Sequence, residues 1–165
     1  TDITPAFSSD ADNCFINTKI KHRFAVLDIS KNPRAQALAD QQFDIIIATN
    51  VLHATPDLNV TLGHVRQLLA DGGLLVMSET VEQSPWLDLT FGLTPGWWLF
   101  SDNVRNQSPL LTVEEWRKLL NTAGLPCERQ LGDTQSVFIS KRAGLSQELS
   151  KAADRSPVFL ITTDP

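Results

Sequence analysis

The sequence predicts a doubly wound α/β domain, in which helices cover both faces of a largely parallel sheet. Apolar runs of strand length alternate with helical periodicity through the middle of the chain. One of these runs, FDIIIATNVL, is Ile-rich and continuous, as expected for a strand that is covered on both faces. Polar residues follow the predicted strands, at the edge of the sheet where ligands bind in this class of fold.

The composition is typical of one globular domain and excludes several classes of partner. The 165 residues are 42% hydrophobic and 20% charged, which is enough for a single core. The formal net charge of −5, without a basic block, argues against nucleic acid as a partner. No apolar stretch is long enough to span a bilayer and the polar opening TDITPAFSSD lacks secretory features, so we expect a cytoplasmic protein without membrane contact. Cys14 and Cys127 fit no metal-ligand spacing, and no metal site is expected.

The first predicted elements are two strands joined by a polar connection. Residues 22–30, HRFAVLDIS, form a short apolar run that closes on Asp28 and are predicted to be a strand. The polar stretch NPRAQALADQQ is predicted to be a short helix or a loop. The Ile-rich run is the next predicted strand, and Asn50 and His53 follow it.

A helix and a further strand are predicted after these residues. Pro56 and Asp57 open the helix, with Pro56 at a first helical position, where its ring already has a suitable φ. Apolar residues repeat at helical spacing, namely Leu58, Leu62, Val65, Leu68 and Leu69. The helix is predicted to end at ADGG, because glycine readily adopts the positive φ of a helix end. LLVMSET is predicted to be the next strand, which ends at Glu79.

The C-terminal part combines an irregular stretch with regular elements. Residues 84–111, which we call the Trp-rich segment, contain three of the four tryptophans and three prolines. This segment is too apolar for a solvated loop and too irregular for a helix, so it is predicted to cover the site or to wall a substrate tunnel. Thr112 and Glu115 are predicted to form a capping box at the start of a helix that ends at Gly124. CERQL and SVFIS are predicted to pair antiparallel across GDTQ.

Several motifs carry a family resemblance. The run FDIIIATNVLHATPDLNVTLGHVRQLLADGGLLVMSET, with LTFGLTPGWWLFSD and SPLLTVEEWRKLLNTAGL after it, resembles the C-methyltransferase domain of modular polyketide synthases. NVLHAT together with GLTPGWW is more specific than a general methyltransferase pattern, and DLTFGLTPGWWLFSD is closer to the bacterial modular type than to the fungal iterative type. The resemblance covers residues 1–142 and implies a Rossmann-like class I S-adenosylmethionine-dependent methyltransferase fold.

One motif of the family is missing from these residues. The family begins its fold with a glycine-rich first strand and loop that hold the methionine end of S-adenosylmethionine, and no such motif occurs in the 165 residues. Because the absence of a central strand would leave neighbouring strand edges unpaired, we expect a fold incomplete at its N-terminal side, in a segment of a longer polypeptide. A truncated, degenerate domain is the alternative. Residues 143–156 are predicted to be a linker, and residues 157–165 the possible start of a ketoreductase-like domain.

His53 and Glu79 are the predicted catalytic pair. Taken alone, a histidine such as His53 is more often structural than catalytic. It lies past a predicted strand end, however, and Glu79 ends the next strand along the chain. Because neighbouring parallel strands lie about 4.8 Å apart, side chains at their carboxyl ends can meet. The resemblance implies that these two residues carry the catalysis.

Binding residues are also implied by the resemblance. The cofactor-binding candidates are Asp2, Asp28, Ile29 and Asn50. Asp28 would accept a hydrogen bond from the adenine amino group and Asp2 would face the ribose hydroxyls, although each is also explained as a turn or capping residue. Trp97 and Trp98 are the substrate-binding candidates. Since they are adjacent, one would line the acyl channel while the other packs, or both are structural.

The implied activity is methylation of the α-carbon of a β-ketoacyl chain by S-adenosylmethionine. The substrate would be held on an acyl carrier protein as a phosphopantetheine thioester, and neighbouring synthase domains would be further partners. A neutral imidazole is a suitable base for a proton that two carbonyl groups acidify. Two alternatives stay open: a non-catalytic methyltransferase remnant that braces neighbouring domains, and a free-standing small-molecule O- or N-methyltransferase.

Overall fold

The computed structural model describes residues 1–39, 41–144 and 159–163. The α-helices in these residues are α1 (Ser8–Phe15), α2 (Leu58–Leu68), α3 (Pro85–Thr90) and α4 (Val113–Thr122). The strands are β1 (Phe43–Thr49), β2 (Leu69–Thr80), β3 (Cys127–Leu131), β4 (Gln135–Lys141) and β5 (Phe159–Thr163). In the described part of the chain, every helix is too short or too polar to span a bilayer.

The described strands form one sheet in the order β3-β4-β2-β1-β5. β1 is parallel to both β2 and β5, whereas β4 is antiparallel to β2 and β3. The crossover through α2 is what allows consecutive strands β1 and β2 to lie side by side in parallel. The predicted α/β class and the predicted antiparallel pair β3–β4 are confirmed.

The core surrounds β1 and β2 and supports the ends of both strands. Buried residues on these strands include Ile46, Ala48, Leu75 and Met77. On α2 they are Leu58, Leu62, Val65 and Leu68, and on α4 they are Trp116, Leu119 and Leu120. Trp116, predicted to be core, is 0% exposed and packs against Phe138 with ring centroids 6.5 Å apart. This packing supports the two central strands from the side of α2 and from the side of α4 and β4.

Both predicted ends of α2 were wrong. The cap is Asp57, whose carboxylate accepts hydrogen bonds from the next turn, so Pro56 precedes the helix rather than opening it. At the other end, Leu69 already has extended φ and ψ of −74° and 138° and starts β2. Gly73 lies within β2, where a Cβ would come 2.9 Å from the carbonyl oxygen of Ala70. This glycine is therefore required for close backbone approach, not for ending a helix.

The strand predicted over residues 22–30 is absent. Only one isolated parallel bridge, between Asp2 and Val26, is formed there. Asp2 Oδ1 accepts a hydrogen bond from the Thr4 N–H at 2.8 Å. Directly after this bond the chain enters the 3-10 turn Pro5–Phe7. The pairing partner thus turns away after a single bridge, and residues 22–30 have no ladder to join.

The capping box of α4 is confirmed, and the Trp-rich segment is more ordered than predicted. Thr112 accepts a hydrogen bond from the Glu115 N–H, and the Glu115 carboxylate accepts one from the Thr112 N–H. The Trp-rich segment contains α3 followed by the 3-10 turns Phe91–Leu93 and Pro95–Trp98. In such short turns the aromatic side chains point in several directions, so the sequence shows no helical periodicity although the backbone is regular.

β5 lies beside β1, with register from Ile45 opposite Phe159 to Thr49 opposite Thr163. Its residues belong to the stretch 157–165 that we predicted to start another domain. The structure adds the strand to the same sheet, and the domain boundary stays a prediction. The predicted linker at residues 143–156 lies almost wholly outside the described residues.

Candidate active site

His53 and Glu79 form a buried pair at the carboxyl ends of β1 and β2. His53 Nδ1 lies 2.6 Å from Glu79 Oε2, and the two side chains are 7% and 0% exposed. Thr49 is opposite Ser78 in the parallel register, so the residues that follow emerge at the same edge of the sheet. The predicted contact between the two side chains is confirmed.

The backbone after β1 is shaped to bring His53 to this edge. Asn50 has a positive φ of 51°, which asparagine tolerates better than most residues, and its N–H donates to the Ser78 carbonyl at 2.8 Å. The chain then forms the 3-10 turn Leu52–Ala54. Glu79 Oε1 accepts a hydrogen bond from the Leu52 N–H at 2.9 Å. Each oxygen of this carboxylate therefore holds one group of the turn that carries the histidine.

The hydrogen bond between His53 and Glu79 determines the tautomer of a neutral imidazole. An ionised carboxylate can only accept, so Nδ1 carries the hydrogen of this bond. Nε2 is then the basic nitrogen of the neutral ring. A buried carboxylate also stabilises a positive charge on the ring more strongly than a solvated one would. The pair can thus accept a proton at Nε2 and stabilise the resulting imidazolium.

An aromatic wall from the Trp-rich segment lies against the imidazole. The Trp97 ring is 5.9 Å from the His53 ring, edge-on at 71°, and stacks on Phe91 at 5.6 Å. Its indole N–H donates to Asp88 Oδ1 at 2.9 Å. Trp98 instead packs within the segment, donating to the Gly92 carbonyl at 2.8 Å, and is 47% exposed. Of the two predicted substrate-binding tryptophans, the structure brings Trp97 to the histidine.

Asp28 is an ionised acceptor held by its own turn. Its Oδ1 accepts from the Ser30 N–H and hydroxyl at 3.1 and 2.5 Å, and Lys31 Nζ lies 2.9 Å from Oδ2. Burial alone would raise the pKa of the Asp28 carboxyl, but the hydrogen bonds from Ser30 and Lys31 outweigh it and lower that pKa. Ile29 is buried, and its carbonyl lies 2.8 Å from Nδ1 of the half-buried His64.

Asp2 and Asn50 are also fixed by local hydrogen bonds. Asp2 is 6% exposed and accepts from Thr4, which is the turn role that its sequence position also allowed. Asn50 Oδ1 accepts from Gln135 Nε2 at 3.0 Å, which ties the end of β1 to β4. The structure thus unites His53, Glu79 and Trp97, while Asp2 and Asp28 make their hydrogen bonds within the N-terminal part of the chain.

The acceptors of this N-terminal part fit the adenosine end of S-adenosylmethionine. The adenine amino group and the ribose hydroxyls donate hydrogen bonds, and carboxylates accept them. Each carboxylate oxygen can accept two hydrogen bonds, so Asp2 and Asp28 have capacity beyond their turns. Among the described residues, no three His, Cys, Asp or Glu side chains are grouped so that they could hold a metal ion.

Two site residues were missed by sequence reasoning. Arg105, in the Trp-rich segment, donates from Nη1 to the His53 carbonyl at 2.6 Å and is 3% exposed. Asp102 Oδ2 lies 2.6 Å from Arg105 Nη2. The contact with His53 spans 52 residues and ends on a backbone carbonyl, so no side-chain pattern in the sequence could have indicated it.

Comparison with known proteins identifies the family to which the chain belongs. Residues 1–75 match the family described as a methyltransferase domain. The highly reducing polyketide synthase g433 of a Fusarium species is 34% identical over 166 residues, which cover 100% of this chain and 7% of that protein. The chain thus spans less than a tenth of the length of the curated relatives it matches, the first of which are fungal polyketide synthases.

Solved structures show the same fold. The CurJ carbon methyltransferase has a TM-score of 0.78 at 39% identity, with 87% of this chain and 40% of that chain covered. The trans-methyltransferase CalH, in complex with SAH, has a TM-score of 0.73 at 33% identity, with 86% and 41% covered. The predicted class I methyltransferase fold is confirmed, whereas the bacterial modular type and the missing N-terminal motif stay predictions. Fold, family match and relatives together place this chain among the methyltransferase domains of the kind found in polyketide synthases.

Proposed function

We propose that the chain belongs to an S-adenosylmethionine-dependent C-methyltransferase acting on the α-carbon of a β-ketoacyl chain. The substrate would be presented as a phosphopantetheine thioester on an acyl carrier protein. The observation that carries this proposal is the buried His53–Glu79 pair, with 2.6 Å between Nδ1 and Oε2. A carbon that lies between two carbonyl groups loses a proton readily, and imidazole is a base of suitable strength to accept that proton.

His53 would act through Nε2. The α-carbon–hydrogen bond breaks, its electron pair stays on the substrate as an enolate, and a new N–H bond forms at Nε2. Glu79 accepts the Nδ1–H throughout, so it both holds the tautomer and stabilises the imidazolium. Because the carboxylate is already in place before the proton moves, little reorganisation is needed during the step.

The other candidate residues would bind either the cofactor or the substrate. When bound, S-adenosylmethionine supplies a methyl group on a positively charged sulfur, which leaves as a neutral thioether. Asp2 and Asp28, with Ile29, would bind the adenosine end, and Asn50 would lie towards the methionine end. Trp97 would exclude water from the enolate side of the imidazole. The relatives are large multidomain synthases, which supports neighbouring synthase domains as partners.

The test of this function is product analysis with the full-length protein. It would be given a β-ketoacyl carrier protein and methyl-labelled S-adenosylmethionine, and the carrier-bound product would be analysed by mass spectrometry. We expect the label on the α-carbon. A matched substrate whose α-carbon bears two methyl groups and no hydrogen should stay unlabelled. Label on an oxygen, or label in the substrate without an α-hydrogen, would contradict carbon methylation.

Trp97 should affect the acyl substrate more than the cofactor. We expect Trp97→Ala to lower kcat/KM for the carrier-bound substrate about fivefold, because an aromatic contact of about 1 kcal/mol beside the base is lost. Trp98→Ala should have a smaller effect, and Trp86→Ala, which removes an indole that is 60% exposed, serves as control. Kinetics and calorimetry separate the two ligands. Equal losses for substrate and cofactor, together with a lower melting temperature, would indicate a purely structural role for Trp97.

Cofactor affinity should depend on residues outside these 165. No glycine-rich strand-to-helix loop occurs in these 165 residues, so we expect part of the contacts to the methionine end to come from other residues. We expect the 165-residue chain to bind S-adenosylmethionine at least roughly tenfold more weakly than an N-terminally extended chain, since about 1.4 kcal/mol of lost contact is tenfold. Isothermal calorimetry on both chains measures the difference. Equal, tight binding by the two chains would refute the predicted missing motif.

A further inference from the structure

We propose that Arg105 is a positioning residue for His53 and acts through the backbone of the turn that carries the imidazole. This inference rests on the proposed function, because it assigns the residue that sets the direction of the proposed base. Arg105 is in the Trp-rich segment, and the turn follows β1. The contact therefore joins the segment that walls the site to the residue that would do the chemistry.

The guanidinium of Arg105 donates hydrogen bonds to the backbone of this turn and to the carboxylate of Asp102. Nη1 donates to the His53 carbonyl at 2.6 Å, and Nη2 donates to the Thr55 carbonyl at 2.7 Å. A further contact from Nη2 reaches the Pro56 carbonyl at 3.2 Å. The side chain is 0% exposed, and its carbon Cζ lies 5.3 Å from the centre of the Phe100 ring. A rigid planar fork that bonds two carbonyl groups of the same turn defines the orientation of the turn as well as its distance.

Asp102 completes the connection. Its Oδ2 accepts hydrogen bonds from Arg105 Nε at 3.0 Å and from the N–H of Leu58 at 3.0 Å. Leu58 is the first residue of α2. Burial would raise the pKa of the Asp102 carboxyl, but the hydrogen bonds from Arg105 and from the Leu58 backbone lower that pKa. The carboxylate thus stays ionised and is paired with both the guanidinium and the N-terminus of α2. The Asp102–Arg105 ion pair therefore bonds both the turn and the first residue of the helix.

The backbone of the turn is held from both sides. Glu79 accepts from the Leu52 N–H, and Arg105 donates to the His53 carbonyl. The peptide that carries the imidazole therefore lies between an anion on the sheet and a cation on the Trp-rich segment. Replacing a buried ion pair by apolar side chains is often neutral or stabilising, so stability alone is a weak reason for this pair. A role in orienting His53 explains the contacts of Arg105 better than a role in stability does.

The test compares Arg105 with an arginine of the same chemistry far from the site. Arg142 also donates to a backbone carbonyl, that of Leu69, and pairs with Asp71 at 3.0 Å. Leu69 is at the opposite end of β2 from Glu79, so Arg142→Gln is a matched control. The full-length protein would be measured as wild type, Arg105→Gln, Arg105→Lys, Asp102→Asn and Arg142→Gln. The readouts are kcat, KM, cofactor affinity, and amide hydrogen exchange by mass spectrometry.

We expect Arg105→Gln to lower kcat by roughly 10²-fold, as misplacement of a catalytic group by about 1 Å can do, with KM and cofactor affinity nearly unchanged. Arg105→Lys should recover part of the loss, because it keeps the charge and one donor but not the fork. Amide exchange should increase at residues 51–58 in Arg105→Gln and Asp102→Asn. In Arg142→Gln it should increase only near Leu69, with kcat unchanged.

The outcomes separate this inference from the proposed function. If His53→Ala retains its activity, the function fails whatever Arg105 does. If His53→Ala is inactive while Arg105→Gln turns over like Arg142→Gln, the positioning role is wrong. A loss of kcat that follows only the melting temperature, without recovery in Arg105→Lys, would also overturn it by reducing Arg105 to a stabilising residue.

Discussion

Replacing His53 with alanine should lower methyl transfer by about 10²–10⁴-fold, the usual contribution of a general base, with cofactor affinity nearly unchanged. Glu79 bonds the imidazole directly, whereas Arg105 bonds the backbone carbonyl of the same residue, so alanine removes the imidazole without adding bulk and keeps the Arg105 contact. Product formation would be followed by mass spectrometry of the carrier-bound chain. Exchange of the α-hydrogen for deuterium would be measured in parallel, because it reports proton removal even when no methyl group is transferred.

His22 offers a control of similar chemistry. Its Nε2 lies 3.2 Å from Asp12 Oδ1, so it too is a histidine beside a carboxylate, but the pair is on the surface. His22→Ala should therefore turn over like the wild type. If His53→Ala still exchanges the α-hydrogen at the wild-type rate, histidine is not the base, and the turn after β1 has a structural role only.

The contact at the centre of the site could be predicted because it follows from strand order. Asn50, His53 and Glu79 each follow or end an apolar run of strand length, and parallel neighbours bring such ends together. The capping box of α4 was equally accessible, since Thr112 and Glu115 are three residues apart and interact locally. Features defined by local spacing or by strand adjacency are therefore readable from the sequence.

Features defined by distant backbone groups were not accessible. Arg105 bonds carbonyl oxygens 50 and 52 residues away, and a carbonyl leaves no signature in the sequence. The placement of β5 beside β1 depends on parallel pairing between residues more than a hundred positions apart. Residues 22–30 looked like a strand from their apolar character, but a strand also needs a partner, and that partner turns away after Asp2. The apolar pattern of a segment therefore indicates that it can form a strand, but a neighbouring strand must be present for the strand to form.

Glu79→Gln should be nearly as damaging as His53→Ala, because it reverses the tautomer of the imidazole. The Leu52 N–H donates to Glu79 Oε1 at 2.9 Å, so a glutamine would keep its carbonyl oxygen towards Leu52. Its amide nitrogen would then face His53 Nδ1, where the carboxylate oxygen now lies at 2.6 Å. An amide N–H can only donate, so Nδ1 would become the acceptor and the hydrogen would move to Nε2. The nitrogen proposed to take the substrate proton would already carry one, and we expect a loss of about 10²–10⁴-fold in kcat.

Glu82→Gln is the matched control for this loss. Glu82 lies just past the same strand, is exposed, and accepts a hydrogen bond from the Thr134 hydroxyl at 2.8 Å, so its amide variant should keep wild-type kcat. Glu79→Asp should retain partial activity, because the carboxylate stays an acceptor although it is one carbon shorter. The double variant His53→Ala with Glu79→Gln should be little worse than His53→Ala, since residues that act as one unit are not additive. Turnover by Glu79→Gln equal to that of Glu82→Gln would show that the carboxylate does not set the tautomer. Losses that multiply in the double variant would show that the two residues act separately.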